Sequence, residues 1–347
     1  MLKRSLLLFL SILSLSAMAQ IPPGYYDSAE GLTGIELREA LRDIIDNHSI
    51  QSYSSLWIHF QTTDVNSEGL VWDMYSDVPG GTPDYSYTFS VDQCGNYSQE
   101  GDCYNREHSF PKSWFGGEIP PMYTDLFHLV PTDGYVNGQR GNYPYGEVDS
   151  PNWTSTNGSK RGPCSYPGYS ATVFEPIDEY KGDFARGYFY MLTRYMDNIS
   201  GWNSDMLSGD DFSDWAKNML LEWAANDTVS QKEIDRNNAI YGIQNNRNPF
   251  IDHPEYVQAI WDLSSSINEI SYNRINYYYS NATLYLKDLN DQYSDLSLYS
   301  LSGALLNEFN IQGDEDEIMI DLDGGLYLID VKGKNSRQVL KLMVVSH

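Results

Sequence analysis

Glu107 and His108 stand side by side, Asn137 follows about thirty residues later, and Arg140 lies three residues beyond it. A carboxylate and an amide oxygen are hard donors of the kind Mg2+ takes, with Mn2+ or Ca2+ as alternatives. A neutral imidazole is the side chain best suited to take a proton from water near pH 7. A guanidinium suits a phosphate oxygen whose charge grows in a transition state. These residue types could hold one divalent cation and one general base, His108, at a phosphodiester, with Arg140 as the contact that strengthens during reaction.

Such side chains need elements that aim them. The stretch Pro131-Thr132-Asp133-Gly134 reads as the entry to a short helix that Thr132 could cap and Gly141 would end. On that helix Asp133, Asn137 and Arg140 share one face by spacing. Glu107 and His108 are chain neighbours, which a regular strand sends to opposite faces. Pro111 follows closely, so the pair is expected at a strand end. Cys94 and Cys103 bracket CGNYSQEGDC and could close a disulfide just ahead of the pair, leaving Cys164 over. Three cysteines are too few for a zinc site.

Elsewhere, apolar residues at Ile35, Leu37, Ala40, Leu41, Ile44 and Ile45 predict a helix over 35–47. Runs 55–61 and 85–90 read as strands, and 144–176, rich in Gly, Pro, Ser, Thr and Asn, as a long irregular segment. Helices are expected over 182–197 and 211–225, from a Ser230/Glu233 capping box to about Tyr241, and over 254–263. From Glu269 the character changes to short Tyr-rich and β-branched runs, at 276–279, 282–286, 297–301, 317–320 and 326–331. Strands at such spacing suggest a small β-sandwich. The expected fold class is therefore α+β, with a mainly helical domain over 20–265 and a β-sandwich over 266–347.

Residues 1–19 read as a signal peptide: Lys3 and Arg4, a short apolar run from Leu6 to Leu15, and an Ala17-Met18-Ala19 cleavage site. The expectation is export, to the medium or the cell surface, with no later run apolar enough to cross a membrane. A net charge of −26 opposes a polyanionic partner over most of the surface. That charge is uneven. Between 105 and 142, Arg106, Lys112 and Arg140 nearly balance Glu107, Glu118, Asp125 and Asp133, and a bound cation would add two positive charges. Arg106, Lys112, His128 and Asn142 are further candidates for touching substrate. Their plainer alternatives are an ion pair for Arg106, a core histidine for His128 and a turn role for Asn142. Asp178, Lys181, Asp183 and Arg186 read as a buried ion network.

The run NREHSFPKSW, with DLFHL, PTDG, VN, RGNYP and GEV after it, closely resembles the bacterial endonuclease I family of the His-Me finger (ββα-metal) superfamily. The likeness extends over most of residues 24–262, through Tyr25-Tyr26, Phe174-Glu175-Pro176, Tyr180 to Asp183, Ala185-Arg186, Arg236 to Asn238 and Asn246 to Phe250. It implies a ββα-metal finger core, His108 as general base, and Glu107 and Asn137 as ligands of one Mg2+. It also implies hydrolysis of nucleic acid, DNA first and RNA second, to 5′-phosphate products. Some members place a phosphate-binding Arg between the His and the Asn, where this chain has only Lys112; many read His-His where it has Phe127-His128. The C-terminal runs SLYSLSG (297–303), GGLYLIDV (324–331) and KLMVV (341–345) resemble a type IX secretion sorting domain, which implies the type IX machinery as a partner. Two other readings stay open. One is a surface-displayed glycan- or protein-binding module on a degenerate nuclease scaffold, suggested by the acidic, Tyr-rich composition. The other is a phosphodiesterase for small diesters.

Overall fold

The computed structural model describes residues 21–262 and, with short gaps, 275–344. The leader expected at 1–19 and the boundary expected near 265 lie outside the described residues. The chain divides into two compact units, Met1–Ile267 and Asn268–His347. Together they make a mixed α+β fold with several small antiparallel sheets.

In the first unit, helix α1 (Gly34–Ile45) buries the stripe Leu37, Leu41 and Ile45 that its periodicity announced. Residues 55–61 correct the sequence reading, because Leu56–Thr63 is helix α2 and not a strand. Leu56, Ile58 and Phe60 alternate by chance. Ile58 is 66% exposed, and the buried set is Leu56, Phe60 and Thr63, which is a helical spacing. Residues 85–90 form no regular strand either. They run beside residue 71 through a single bond, Val71 N to Tyr87 O.

Strands β1 (Tyr104–His108) and β2 (Leu129–Asp133) form an antiparallel ribbon with His108 opposite Leu129 and Tyr104 opposite Asp133. Helix α3 (Gly134–Arg140) leaves β2 without a connecting loop. Its N-cap is Asp133, not Thr132, since the Asp133 carboxylate accepts from Val136 N. Gly141, with φ of 56°, stops it as expected. The stretch expected to be irregular holds a small sheet in the order β3 (Trp153–Thr154), β4 (Lys160–Pro163), β5 (Thr172–Glu175).

Helix α4 (Lys181–Arg194) runs through the core, with Phe184, Tyr188, Phe189 and Tyr190 buried. A hairpin, β6 (Leu207–Ser208) and β7 (Asp211–Phe212), leads to α5 (Asp214–Asn226). The Ser230/Glu233 capping box opens α6 (Gln231–Gln244), and α7 (Pro249–Asp252) and α8 (Glu255–Trp261) close the unit. The buried ion network is present and larger than the sequence suggested. Arg186 bonds both oxygens of Glu233, and Lys181 bonds Glu147, Glu175 and Asp178.

The regular elements among the described residues of the second unit are strands: β8 (Asn276–Ser280), β9 (Thr283–Lys287), β10 (Asp295–Ser300), β11 (Leu305–Asn310), β12 (Glu315–Met319), β13 (Gly325–Lys332) and β14 (Arg337–Val344). They form two antiparallel sheets, β11-β10-β13-β14 and β12-β9-β8. Leu284, Leu286 and Ile318 of one sheet share an apolar cluster with Leu296, Leu298, Ile329 and Val331 of the other. Strand β11 was not legible beforehand. It is an edge strand whose side chains are almost all exposed, so no buried alternation marks it.

Cys94 and Cys103 form a disulfide, and Cys164 is free and buried. The closed loop is tied to the start of α3 by Gly101 N to Asp133 Oδ2 (2.8 Å) and by Gly134 N to Cys103 O (2.9 Å). Replacing both cysteines with Ser is expected to lower stability by about 2–3 kcal/mol, the loop-closure value for a ring of roughly ten residues. Urea midpoints read this; an unchanged midpoint would show that hydrogen bonds alone hold the loop.

Candidate active site

The start of α3 is fixed by two buried carboxylates. Asp133 Oδ1 accepts from Val136 N (2.7 Å), and its Oδ2 accepts from Tyr87 OH (2.6 Å) and Gly101 N. The Asp133 N–H donates in turn to Asp73 Oδ2 (2.7 Å). The Tyr97 ring, from the disulfide loop, packs against the helix. A Cβ on Gly134 would sit 2.4 Å from that ring and one on Gly138 3.2 Å from it, so the close approach requires the two glycines that flank Asn137 on α3.

Arg140 is fully buried and spends its terminal nitrogens on the protein. Nη1 meets Glu107 Oε1 (3.0 Å) and donates to His108 O (3.0 Å); Nη2 donates to Ser109 O and to Tyr188 OH (3.2 Å). Its guanidinium lies over the Tyr145 ring. The structure therefore turns Arg140 inward, away from any position where a phosphate could meet it.

Glu107 is 3% exposed. Its Oε1 accepts from Tyr75 OH (3.0 Å) and pairs with Arg140, and the His108 backbone N–H also donates to the carboxylate. Burial pushes this carboxyl up to about 7, with Arg140 pulling the other way. Asn137 lies one turn before Arg140 on the same helix and is partly buried, and its side-chain amide is unbonded among the described residues.

His108 sends its ring to the other side of β1 from Glu107. Nε2 is 3.0 Å from the Tyr123 carbonyl oxygen. A carbonyl only accepts, so Nε2 carries the proton and Nδ1 keeps its lone pair. The ring lies nearly parallel to Tyr123 (5.2 Å, 14°) and Tyr53 (6.0 Å, 17°). Burial, with the neighbouring His128, pushes its pKa down to about 3, so the imidazole is neutral at any ordinary pH. The Glu107 and His108 side chains thus have separate partner sets, and Arg140 touches both the Glu107 carboxylate and the His108 carbonyl.

The remaining candidates divide. His128 is fully buried, with Nε2 on Met122 O (2.6 Å), and is a core histidine. Lys112 pairs with the exposed Glu118 at 3.0 Å. Asn142 is exposed, with an unbonded side chain among the described residues. Arg106 is partly buried and has no ion pair among the described residues, so the plain expectation of a carboxylate partner fails.

Residues 33–255 match the model of the Endonuclease I family. The chain belongs to that family. It is 35% identical over 264 residues to the extracellular ribonuclease of Bacillus subtilis (strain 168), covering 72% of this chain and 84% of that protein. It is 36% identical over 249 residues to the extracellular ribonuclease of Bacillus amyloliquefaciens, covering 68% and 78%. Over 129 residues it is 32% identical to Endonuclease-1 of Buchnera aphidicola subsp. Baizongia pistaciae, covering 37% and 46%. The chain is thus homologous to nucleases.

Metal dependence, expected of an Endonuclease I chain, can be weighed against the donors present. Among the described residues no group of three or more His, Cys, Asp or Glu side chains converges on a point. A site built with fewer such side chains is the arrangement left to weigh. Mg2+ keeps several waters and binds through one or two carboxylates. The Glu107 carboxylate and the unbonded amide of Asn137 are oxygen donors of the type such a hydrated ion takes.

Sequence reasoning missed Tyr53, Tyr75, Tyr123 and Asp73. With 28 tyrosines in the chain, no single one stands out; only the fold brings Tyr53 and Tyr123 to His108 and Tyr75 to Glu107.

Asp73 gives a measurable consequence. Burial pushes its carboxyl from 3.8 to about 7, with Asp133 adding to the rise. The folded state then holds a proton that the unfolded state releases, so this contribution is full at low pH and declines as pH rises from about 4 to about 7. Asp73→Asn is expected to flatten stability over that window, read as urea midpoints at several pH values. Identical slopes in the two proteins would show that Asp73 is ionised in the fold.

Proposed function

We propose that this chain is an exported, divalent-cation-dependent nuclease that hydrolyses phosphodiester bonds in DNA and RNA, with His108 as general base. The observation that carries the reading is the imidazole: neutral, its Nε2–H held by a main-chain carbonyl, its Nδ1 unbonded among the described residues. That tautomer can accept a proton at Nδ1 and nowhere else.

In the proposed reaction His108 Nδ1 takes a proton from water as the water oxygen bonds to phosphorus. The bond from phosphorus to the 3′ oxygen breaks, and solvent returns a proton to that oxygen. The products are a 3′-hydroxyl and a 5′-phosphate. A divalent cation on Glu107 and Asn137, completed by water, would supply charge stabilisation at the non-bridging and departing oxygens. Arg140 holds the Glu107 carboxylate and the His108 carbonyl in fixed relation.

On this reading β1, β2 and α3 form the ββα-metal finger. Two of the relatives are named extracellular ribonucleases, which supports RNA as a substrate beside DNA and supports export. No helix among the described residues is long and apolar enough to cross a membrane. We read 1–19 as the leader, and the second unit as a β-sandwich sorting domain recognised by the type IX machinery. Removing residues 270–347 is expected to keep nuclease activity in cell lysates and to abolish export; a truncated chain that still reaches the medium would refute the sorting role.

Purified protein is expected to degrade supercoiled plasmid and total RNA with Mg2+ and to stop on EDTA addition. His108→Ala should lower kcat by about 10²–10⁴-fold, the usual size of a general-base contribution, with an unchanged melting temperature. If both nucleic acids stay intact with Mg2+ and with Mn2+, the nuclease reading fails.

A further inference from the structure

Hydrolysis of a phosphodiester builds negative charge on the phosphoryl oxygens, and a fixed cation near the base lowers that barrier. The cations close to His108 in sequence are few. Arg140 is buried and turned inward, and Lys112, the one Lys or Arg between His108 and Asn137, is neutralised by Glu118. Arg106 differs from both.

Arg106 lies two residues before His108 on β1, which places the two side chains on the same face of the strand. Its guanidinium lies 3.7 Å from the Tyr53 ring centroid and 4.2 Å from that of Trp57. Tyr53 is the ring that also lies parallel to His108, so one aromatic side chain orients both groups. Nη1 donates to Tyr53 O at 2.8 Å, Nε is buried without a partner, and Nη2 is unbonded among the described residues. Aromatic faces hold a guanidinium without cancelling its charge. In a chain of net charge −26, a guanidinium held by rings and a carbonyl, with no carboxylate paired to it among the described residues, keeps its positive charge for an anion.

We propose that Arg106 is the catalytic cation of this site: its Nη2 edge contacts a phosphoryl oxygen of the substrate, on the side of β1 from which His108 activates water. This rests on the nuclease reading. It assigns Arg106 the part that the sequence pointed to in Arg140.

The test compares wild type with Arg106→Met, which keeps the stem between the rings and removes the charge. Cleavage of a fluorophore-quencher DNA oligonucleotide is measured at several salt concentrations, with melting temperature in parallel. The expected result is a fall in kcat of roughly 10²-fold or more, with a smaller change in KM and a melting temperature near wild type. The salt dependence of KM should flatten by about one phosphate contact. If Arg106→Met does not fold, Arg106→Lys decides. Lys keeps the charge but lacks the planar fork shared between Tyr53 O and phosphate, so a folded Lys variant should lose at least tenfold in kcat. A folded Met variant within threefold of wild-type kcat, or a Lys variant at wild-type kcat, overturns the assignment and leaves the nuclease reading standing. No cleavage by wild type overturns both.

Discussion

The arrangement of the site depends on one buried guanidinium. Arg140 reaches back from the end of α3 to the Glu107 carboxylate and to the His108 and Ser109 carbonyls, and it also meets Tyr188 on α4. It therefore ties the strand that carries His108, the helix that carries Asn137, and the central helix into one body. Desolvating a guanidinium is costly, and a buried pair is weak evidence for stability by itself. Here the cost is met by several acceptors and by the Tyr145 face, and the gain is geometric: β1 and α3 cannot shift relative to each other without leaving a buried charge unpaired.

Much of the scaffold was legible because it follows local rules. The apolar stripe of α1, the Ser230/Glu233 capping box and the glycine stop of α3 are each set by residues within a turn or two. The misreading of α2 shows where local rules stop. Leu56, Ile58 and Phe60 look like a strand until burial shows that Ile58 faces outward, and burial is decided by parts of the chain far away. The same holds at the site. Glu107, His108, Asn137 and Arg140 could be singled out by type and spacing, yet the inward turn of Arg140 could not. It depends on Tyr145 and Tyr188, whose relevance no local pattern reveals.

The acidic composition also takes on a different meaning in three dimensions. Many carboxylates near the core are already engaged: Glu233 with Arg186, Asp64 with Arg236, Asp252 with Arg247, Glu175 with Lys181. Arg186, Arg236, Arg247 and Lys181 are spent on holding those anions inside. What is left to meet a polyanion is local, which makes the neighbourhood of β1 matter more than the sign of the whole surface.

The Tyr123 carbonyl that holds His108 Nε2 belongs to the main chain. Exchanging the Tyr123 side chain can alter how the imidazole is stacked, but no point substitution there deletes the oxygen that sets its protonation. The aim of the imidazole is inherited from the route of the backbone between β1 and β2, so it tolerates drift in side chains and is vulnerable to insertions or deletions that reroute that connection.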